Sequence, residues 1–236
     1  MLRAYFDASM TKPSGVTAIA GYVASADQWL EVEKKWTAAL AYWELDDFHL
    51  CELPHVMGHT KADLCALNFA RIVVDAKLTG VSAGIEDAFW ASRPLYAEAY
   101  GTPYHSCAHM LFDTLSQEVS LSVVHPPGPV AVVMDDDVPT HDFVQALFDR
   151  FKEDGKLVAL TFSNRRATRL LQVADLAAGV MRRDWFENDF FGAMPKTYTL
   201  LRAFARGTNH RASFLSFESA RIADQARERL NRGDPS

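Results

Sequence analysis

A chain of 236 residues with 49% hydrophobic content can bury a sizeable core, and one large domain suits it better than two small ones. The formal charge of −6 excludes a strongly basic nucleic-acid module, and three cysteines without a CxxC pair (Cys51, Cys65, Cys107) speak against a disulfide framework and for a reducing cytoplasm. No basic-then-apolar leader opens the chain and no apolar run approaches the ~18 residues of a membrane span, so a soluble cytoplasmic protein without a membrane partner is expected.

In chain order, Leu2, Ala4 and Phe6 alternate with Arg3 and Tyr5, which predicts a strand ending at Asp7. The turn cluster Lys12, Pro13, Ser14 and Gly15 leads into GVTAIAGYVAS, and so short a connection predicts an antiparallel hairpin. Ser25 and Gln28 have capping-box spacing, and Trp29, Val32, Trp36, Leu40 and Trp43 recur every three or four residues, the pattern of a helix packed on the sheet.

DDFHLCELPHVMGHT follows, with His49, Cys51, Glu52, His55 and His59, and Cys65 lies shortly beyond it. These are metal-ligating types, but Pro54 and Gly58 interrupt any helix that would align His55 with His59, and paired zinc spacings are lacking. His49 and Glu52 are expected on a short extended piece, as companions to a carboxylate site.

KADLCALNFARIVVDAK predicts a helix with Leu64, Leu67, Phe69, Ile72 and Val73 as its apolar set, followed by a strand in LTGVSAGIED. Residues 88–124 read as a helical insertion, with His105 and His109 as surface or capping residues. HPPGP at 125–129 marks the start of the second half. PVAVVMD, a helix with Phe143, Leu147 and Phe151 on one side, and LVALTF then form a βαβ unit, expected to be parallel with both strands fully buried.

In the last motif, SNRRATRLLQVADLAAGVMRRDW, the stripe Leu170, Val173, Ala174, Ala177 and Met181 carries Asp175 beside it, and Gly179 would allow close approach to a sheet. Residues 161–236 hold 13 Lys+Arg against 8 Asp+Glu, whereas residues 1–160 hold 11 against 22. Arg165, Arg166, Arg169, Arg182 and Arg183 therefore read either as a solvated face or as local phosphate contacts. An acid ending an apolar strand is costly unless metal or hydrogen bonds meet it. Asp7, Asp135 and Asp175 all stand in such apolar settings, and they are expected to converge on a divalent metal site.

The strand ending FDAS, the strand ending VVMD, and LQVADLAAG preceded by FSN together resemble the bacterial domain of unknown function 3800 family, over roughly residues 2–185. FHLCEL resembles the family's His-containing strand. The resemblance implies an α/β, ribonuclease-H-like mixed sheet, with an antiparallel N-terminal hairpin and a parallel βαβ unit flanked by helices. Residues 1–190 would form that domain and residues 191–236 a C-terminal helical extension, including a helix in FESARIADQARERL. It also implies a nuclease that acts on nucleic acid, with Asp7, Asp135 and Asp175 as the acidic cluster.

One departure is visible: Ala8 stands where the family has Glu, and Met10 where Gly is common. Glu52, Asp136 or Asp137 would then supply the missing carboxylate. The expected cofactor is Mg²⁺ or Mn²⁺, which prefer hard carboxylate oxygens. Asp7 would bridge two ions, Asp135 and Asp175 would anchor either side, and His49 would orient water or assist the leaving group. The alternative is a catalytically degenerate protein that binds nucleic acid or a protein partner; a homo-oligomer is compatible with either. DASMT is a faint match to an aspartyl-phosphate motif, which wants a second Asp at Ser9 and a helix where the hairpin is expected.

Overall fold

The computed structural model describes residues 1–10, 15–120, 128–136, 141–190 and 209–215. Strands β1 (Leu2–Met10) and β2 (Val16–Ser25) form the expected antiparallel hairpin, with Phe6 opposite Gly21. β1 runs past Asp7 to Met10, because β2 pairs with it over that whole length. β2 also pairs antiparallel with β3 (Thr79–Glu86). On its other side β1 pairs parallel with β4 (Val130–Asp135), and β4 with β5 (Leu157–Ser163). With β6 (Asn209–Leu215) parallel to β3, the described residues give one sheet in the order β5-β4-β1-β2-β3-β6. This is a ribonuclease-H-like α/β fold, with the expected hairpin at its centre and the parallel βαβ unit at one side.

The helices cover both faces. α1 (Ala26–Tyr42), α3 (His59–Asp75) and α8 (Leu171–Phe190) pack on the face presented by Tyr5, Ala20, Tyr22 and Ala24. α4 (Asp87–Ala91), α6 (Pro103–Ser120) and α7 (His141–Lys152) cover the opposite face, where Leu2, Ala4, Phe6, Ile19 and Val23 point. The alternation of side chains along a strand sends Tyr5 and Phe6 to opposite layers, and the same alternation puts Asp7 on the α8 side. Two short helices, α2 (Leu53–Met57) and α5 (Pro94–Tyr100), complete the layers. α2 and α3 meet at Gly58, whose φ of 77° breaks the helix between His55 and His59.

α1 begins as its sequence leads one to expect. The Ser25 side chain accepts from the Gln28 N–H at 3.3 Å and the Gln28 side chain accepts from the Ser25 N–H at 3.1 Å. Trp29, Val32, Trp36 and Leu40 are buried. Ser25→Ala is expected to cost about 1 kcal/mol, lowering the melting temperature by roughly 2–4 °C in a calorimetric scan.

Several expectations change on packing. α3 buries Ala62, Cys65, Ala66, Phe69, Ala70, Ile72 and Val73, and leaves Leu64 exposed, since its small residues let it lie close on its neighbours. α7 buries Val144, Leu147 and Phe148, and turns Phe143 outward against His105. His105 is buried rather than superficial, with Nδ1 2.8 Å from the Tyr100 carbonyl oxygen. β5 is only half-buried because it is an edge strand, so the expectation of full burial fails there. Residues 209–215, expected within a helical extension, form β6, tied to α6 by a 3.0 Å contact between the Ser213 and Thr114 hydroxyls. Lys12, Pro13 and Ser14, residues 125–127 of HPPGP, Asp137 and the segment FESARIADQARERL lie outside the described residues, as does the side chain of Arg183. No described helix is long and apolar enough to cross a membrane.

Candidate active site

The sheet register brings two of the three aspartates side by side. β1 and β4 run parallel with Phe6 level with Met134, so the next residues, Asp7 and Asp135, are neighbours on adjacent strands. Val130, Val132 and Met134 face the α6–α7 layer, and by alternation Asp135 faces α8 together with Asp7. α8 lies across that face and supplies Asp175, one helical turn beyond Gln172. All three carboxylates are buried. Asp136 is exposed and pairs with His141 Nε2 at 3.1 Å, which settles the direction of the first two acids in DDD.

The electrostatics follow from that crowding. Burial, then the charges of Asp175 and Asp135, hold the Asp7 carboxyl well above the ordinary carboxylate range, against the pull of the Ala8 N–H, which donates to Oδ1 at 2.7 Å. Burial also raises Asp175, and His49, the Leu50 N–H and Arg165 oppose it. The Asp7 side chain, the last of the influences on Asp175, also favours the Asp175 carboxylate, and the Asp175 charge in turn raises Asp7.

His49 and Glu52 join this group in a different local structure from the one expected. Residues 50–52 form a turn rather than part of a strand, with the Glu52 N–H donating to the His49 carbonyl at 3.0 Å. The reason lies in α8. Gln172 Oε1 accepts from the Phe48 N–H at 3.1 Å and Asp175 Oδ2 from the Leu50 N–H at 2.7 Å, so side chains take the donors a strand partner would have used. Gly179 makes room for the Leu50 side chain: a Cβ there would lie 2.7 Å from Leu50 Cδ2, so the close approach is to this turn and not to the sheet.

The turn sets the His49 ring between two acids, Nε2 at 3.4 Å from Asp175 Oδ1 and Nδ1 at 2.9 Å from Glu52 Oε1. Glu52 is held below its ordinary pKa first by that bond to His49. It therefore reaches the aspartates through the imidazole in this structure and does not stand beside them.

Three further residues join the site: Gln172 from the LQVAD motif, Arg165 from the arginine cluster, and Tyr104, which no pattern in the sequence marked. Gln172 also accepts from the Trp36 indole N–H at 3.0 Å and donates to the Arg165 carbonyl at 3.3 Å, so it ties α1, the turn and the loop before α8 together. Arg165 lies within electrostatic reach of Asp7, Asp175 and Glu52. The Tyr104 hydroxyl, buried and without a hydrogen-bond partner among the described residues, sits in the field of Asp7 and Asp135. Of the other arginines singled out by the sequence, Arg182 Nε donates to Ser9 Oγ at 2.9 Å, whereas Arg166 pairs with Asp47 and Arg169 with Thr37.

As they stand, no three His, Cys, Asp or Glu side chains among the described residues form a ready-made metal cage. The donor chemistry nevertheless fits a hard divalent cation: carboxylate oxygens from three separate elements, buried and crowded so that the charges of Asp175 and Asp135 raise Asp7. A cation there would offset the mutual repulsion of the three carboxylates.

Fold and site together define an α/β protein of ribonuclease-H-like architecture with buried acids on its central parallel strands β1 and β4 and on the helix that crosses them. No family model matches the chain, and no curated protein does. Among solved structures it is similar to Bst-RNase HIII in complex with Mn²⁺, at 11% identity and a TM-score of 0.44, over 78% of this chain and 53% of that one. The chain thus spans about half the length of that protein. The fold assignment rests on the strand order and directions given above.

Proposed function

We propose that this chain is a divalent-metal-dependent phosphodiester hydrolase of the domain of unknown function 3800 family, acting on nucleic acid. The observation that carries this reading is the meeting of Asp7, Asp135 and Asp175, buried together from β1, β4 and α8. These three would hold Mg²⁺ or Mn²⁺, and Glu52 would act on the site through His49. When bound, such an ion supplies Lewis acidity and lowers the pKa of a coordinated water.

The chain's own residues do the rest. His49, set between Asp175 and Glu52, holds or passes a proton at Nε2, where it would orient the attacking water or assist the leaving oxygen. Arg165 and Arg182 offset the charge of a phosphate drawn towards three acids. A phosphomonoesterase built on an Asp7 nucleophile fits poorly, because Ser9 replaces the second acid and β2 follows where that chemistry needs a helix.

The test is hydrolysis of end-labelled single-stranded DNA, duplex DNA, RNA and RNA–DNA hybrid with millimolar Mn²⁺ or Mg²⁺. Asp175→Asn is expected to lower the rate by more than about a hundredfold, beyond what loss of a residue that only supports a ligand costs, and His49→Ala by roughly a hundredfold. Full hydrolysis by both Asp7→Asn and Asp175→Asn would overturn the assignment. Binding of these substrates without cleavage, unchanged by loss of all three acids, would establish the degenerate binding module suggested by Ala8.

A further inference from the structure

A second feature adjoins the acidic site and is not used by its chemistry. A cavity of about 370 Å³ opens between the start of β1, the first turns of α1 and the loop before α8, with Arg3, Tyr5, Trp29, Glu33, Thr168 and Arg169 in its walls. Tyr5 precedes Asp7 by two residues on the same face of β1, so the cavity begins about 6.6 Å along the strand from the acids. Its volume falls within the range of small-molecule sites and is of the size of one nucleotide unit.

The walls state what would fit. Neither Arg3 nor Arg169 forms an ion pair among the described residues, even though Glu33 lines the same cavity. Arg169 donates to the Thr37 hydroxyl at 2.9 Å, which engages one of a guanidinium's five N–H donors and leaves others to turn elsewhere. Two guanidiniums in one concave site suit an anion that accepts several hydrogen bonds, as a phosphate does. Buried Tyr5 and Trp29 supply a wall that cannot rotate away, since the Trp29 indole N–H donates to the Arg3 carbonyl at 2.8 Å. Glu33 adds an acceptor suited to the hydroxyl or amino groups of a nucleoside. Arg165 and Arg182 stand near the acids themselves, so cationic groups are found both at the acidic site and one step away from it.

We propose that this cavity binds a nucleoside phosphate through Arg3 and Arg169, and that the phosphate belongs to the strand whose bond lies at the acidic site, one nucleotide away. The proposal rests on the nuclease reading for the source of the phosphate, not for the existence of the site.

The experiment is fluorescence anisotropy with short labelled DNA and RNA oligonucleotides in EDTA, where no hydrolysis interferes, with AMP and inorganic phosphate as competitors. Arg3→Ala/Arg169→Ala is expected to weaken oligonucleotide binding roughly tenfold and to flatten the slope of log affinity against log salt by about 1.4, with lysine at both positions restoring part of each. Arg3→Ala alone, altering an exposed side chain, keeps the test valid where the Arg169 variant loses stability through Thr37. Arginine-dependent binding of AMP with no binding of oligonucleotide upholds the site and assigns it to free nucleotide. Equal affinities and slopes for wild type and double variant, with every probe, overturn it. Arginine-dependent binding without metal-dependent hydrolysis would sink the nuclease reading alone; hydrolysis with binding indifferent to the arginines would sink the cavity alone.

Discussion

Without divalent metal, Asp7→Asn is expected to melt higher than the wild type, and with millimolar Mn²⁺ the order is expected to reverse. The wild-type carboxyl is buried beside two other acids and is held well above the ordinary carboxylate range by burial and by their charges. An unfolded chain would release that proton near pH 4. Between there and the higher folded-state value, the folded protein binds more protons than the unfolded one, so stability falls as pH rises through this window. The contribution of Asp7 is thus fully present below about pH 4 and lost above its folded pKa. Asparagine keeps the shape and removes the titration, so the variant's advantage in apo protein should grow with pH and then level off.

A cation held by the three aspartates inverts the comparison. At a metal concentration of 100 times its dissociation constant, the wild type gains about 2.7 kcal/mol, a rise of roughly 5–10 °C for a chain of this size. The variant, lacking one carboxylate ligand, should gain far less. Scanning calorimetry at pH 5, 6, 7 and 8, with and without Mn²⁺, reads both effects. An equal metal shift in both proteins would place the cation somewhere other than at Asp7.

Gln172→Leu is expected to destabilise the protein by roughly 3–9 kcal/mol, more than any surface change. Its side chain is 2% exposed and its Oε1 is the acceptor for both the Trp36 indole and the Phe48 backbone N–H. Leucine fills a similar volume but leaves those two buried donors and the Arg165 carbonyl to lose their partner, at about 1–3 kcal/mol each. A double-mutant cycle makes the mechanism testable. Trp36→Phe in the Gln172→Leu background removes one of the stranded donors and should cost less than it does in the wild type. Urea titrations of the four proteins give the coupling; a loss below about 1 kcal/mol in the single Gln172 variant would show that water or a shifted turn replaces the amide. Because the same amide fixes the turn that carries His49, catalysis by the surviving folded fraction should fall as well, through kcat more than KM.

The hairpin, the tryptophan-bearing helix with its cap and the βαβ unit could be read directly from the chain, since alternation, three-or-four spacing and turn residues are local signals that neighbouring residues alone determine. The suspicion that fell on Asp7, Asp135 and Asp175 was legible for a related reason: each interrupts an apolar pattern, and a charge in such a place demands a partner. What those partners are was decided only by tertiary structure. The parallel register sets Asp7 beside Asp135, and the path of α8 across the sheet brings Asp175 to them. His49 and Glu52 were expected on an extended piece, and FHLCEL resembled a family strand, yet Gln172 and Asp175, more than 120 residues away, claim the backbone donors of Phe48 and Leu50 beside a turn. β5 looked buried because its composition is apolar, and its place at the sheet edge leaves it half-covered. Side-chain periodicity is set within one segment, whereas hydrogen-bond ownership and edge position depend on segments far apart in the chain, and only the folded arrangement of α8 against β1, β4 and the His49 turn decides them.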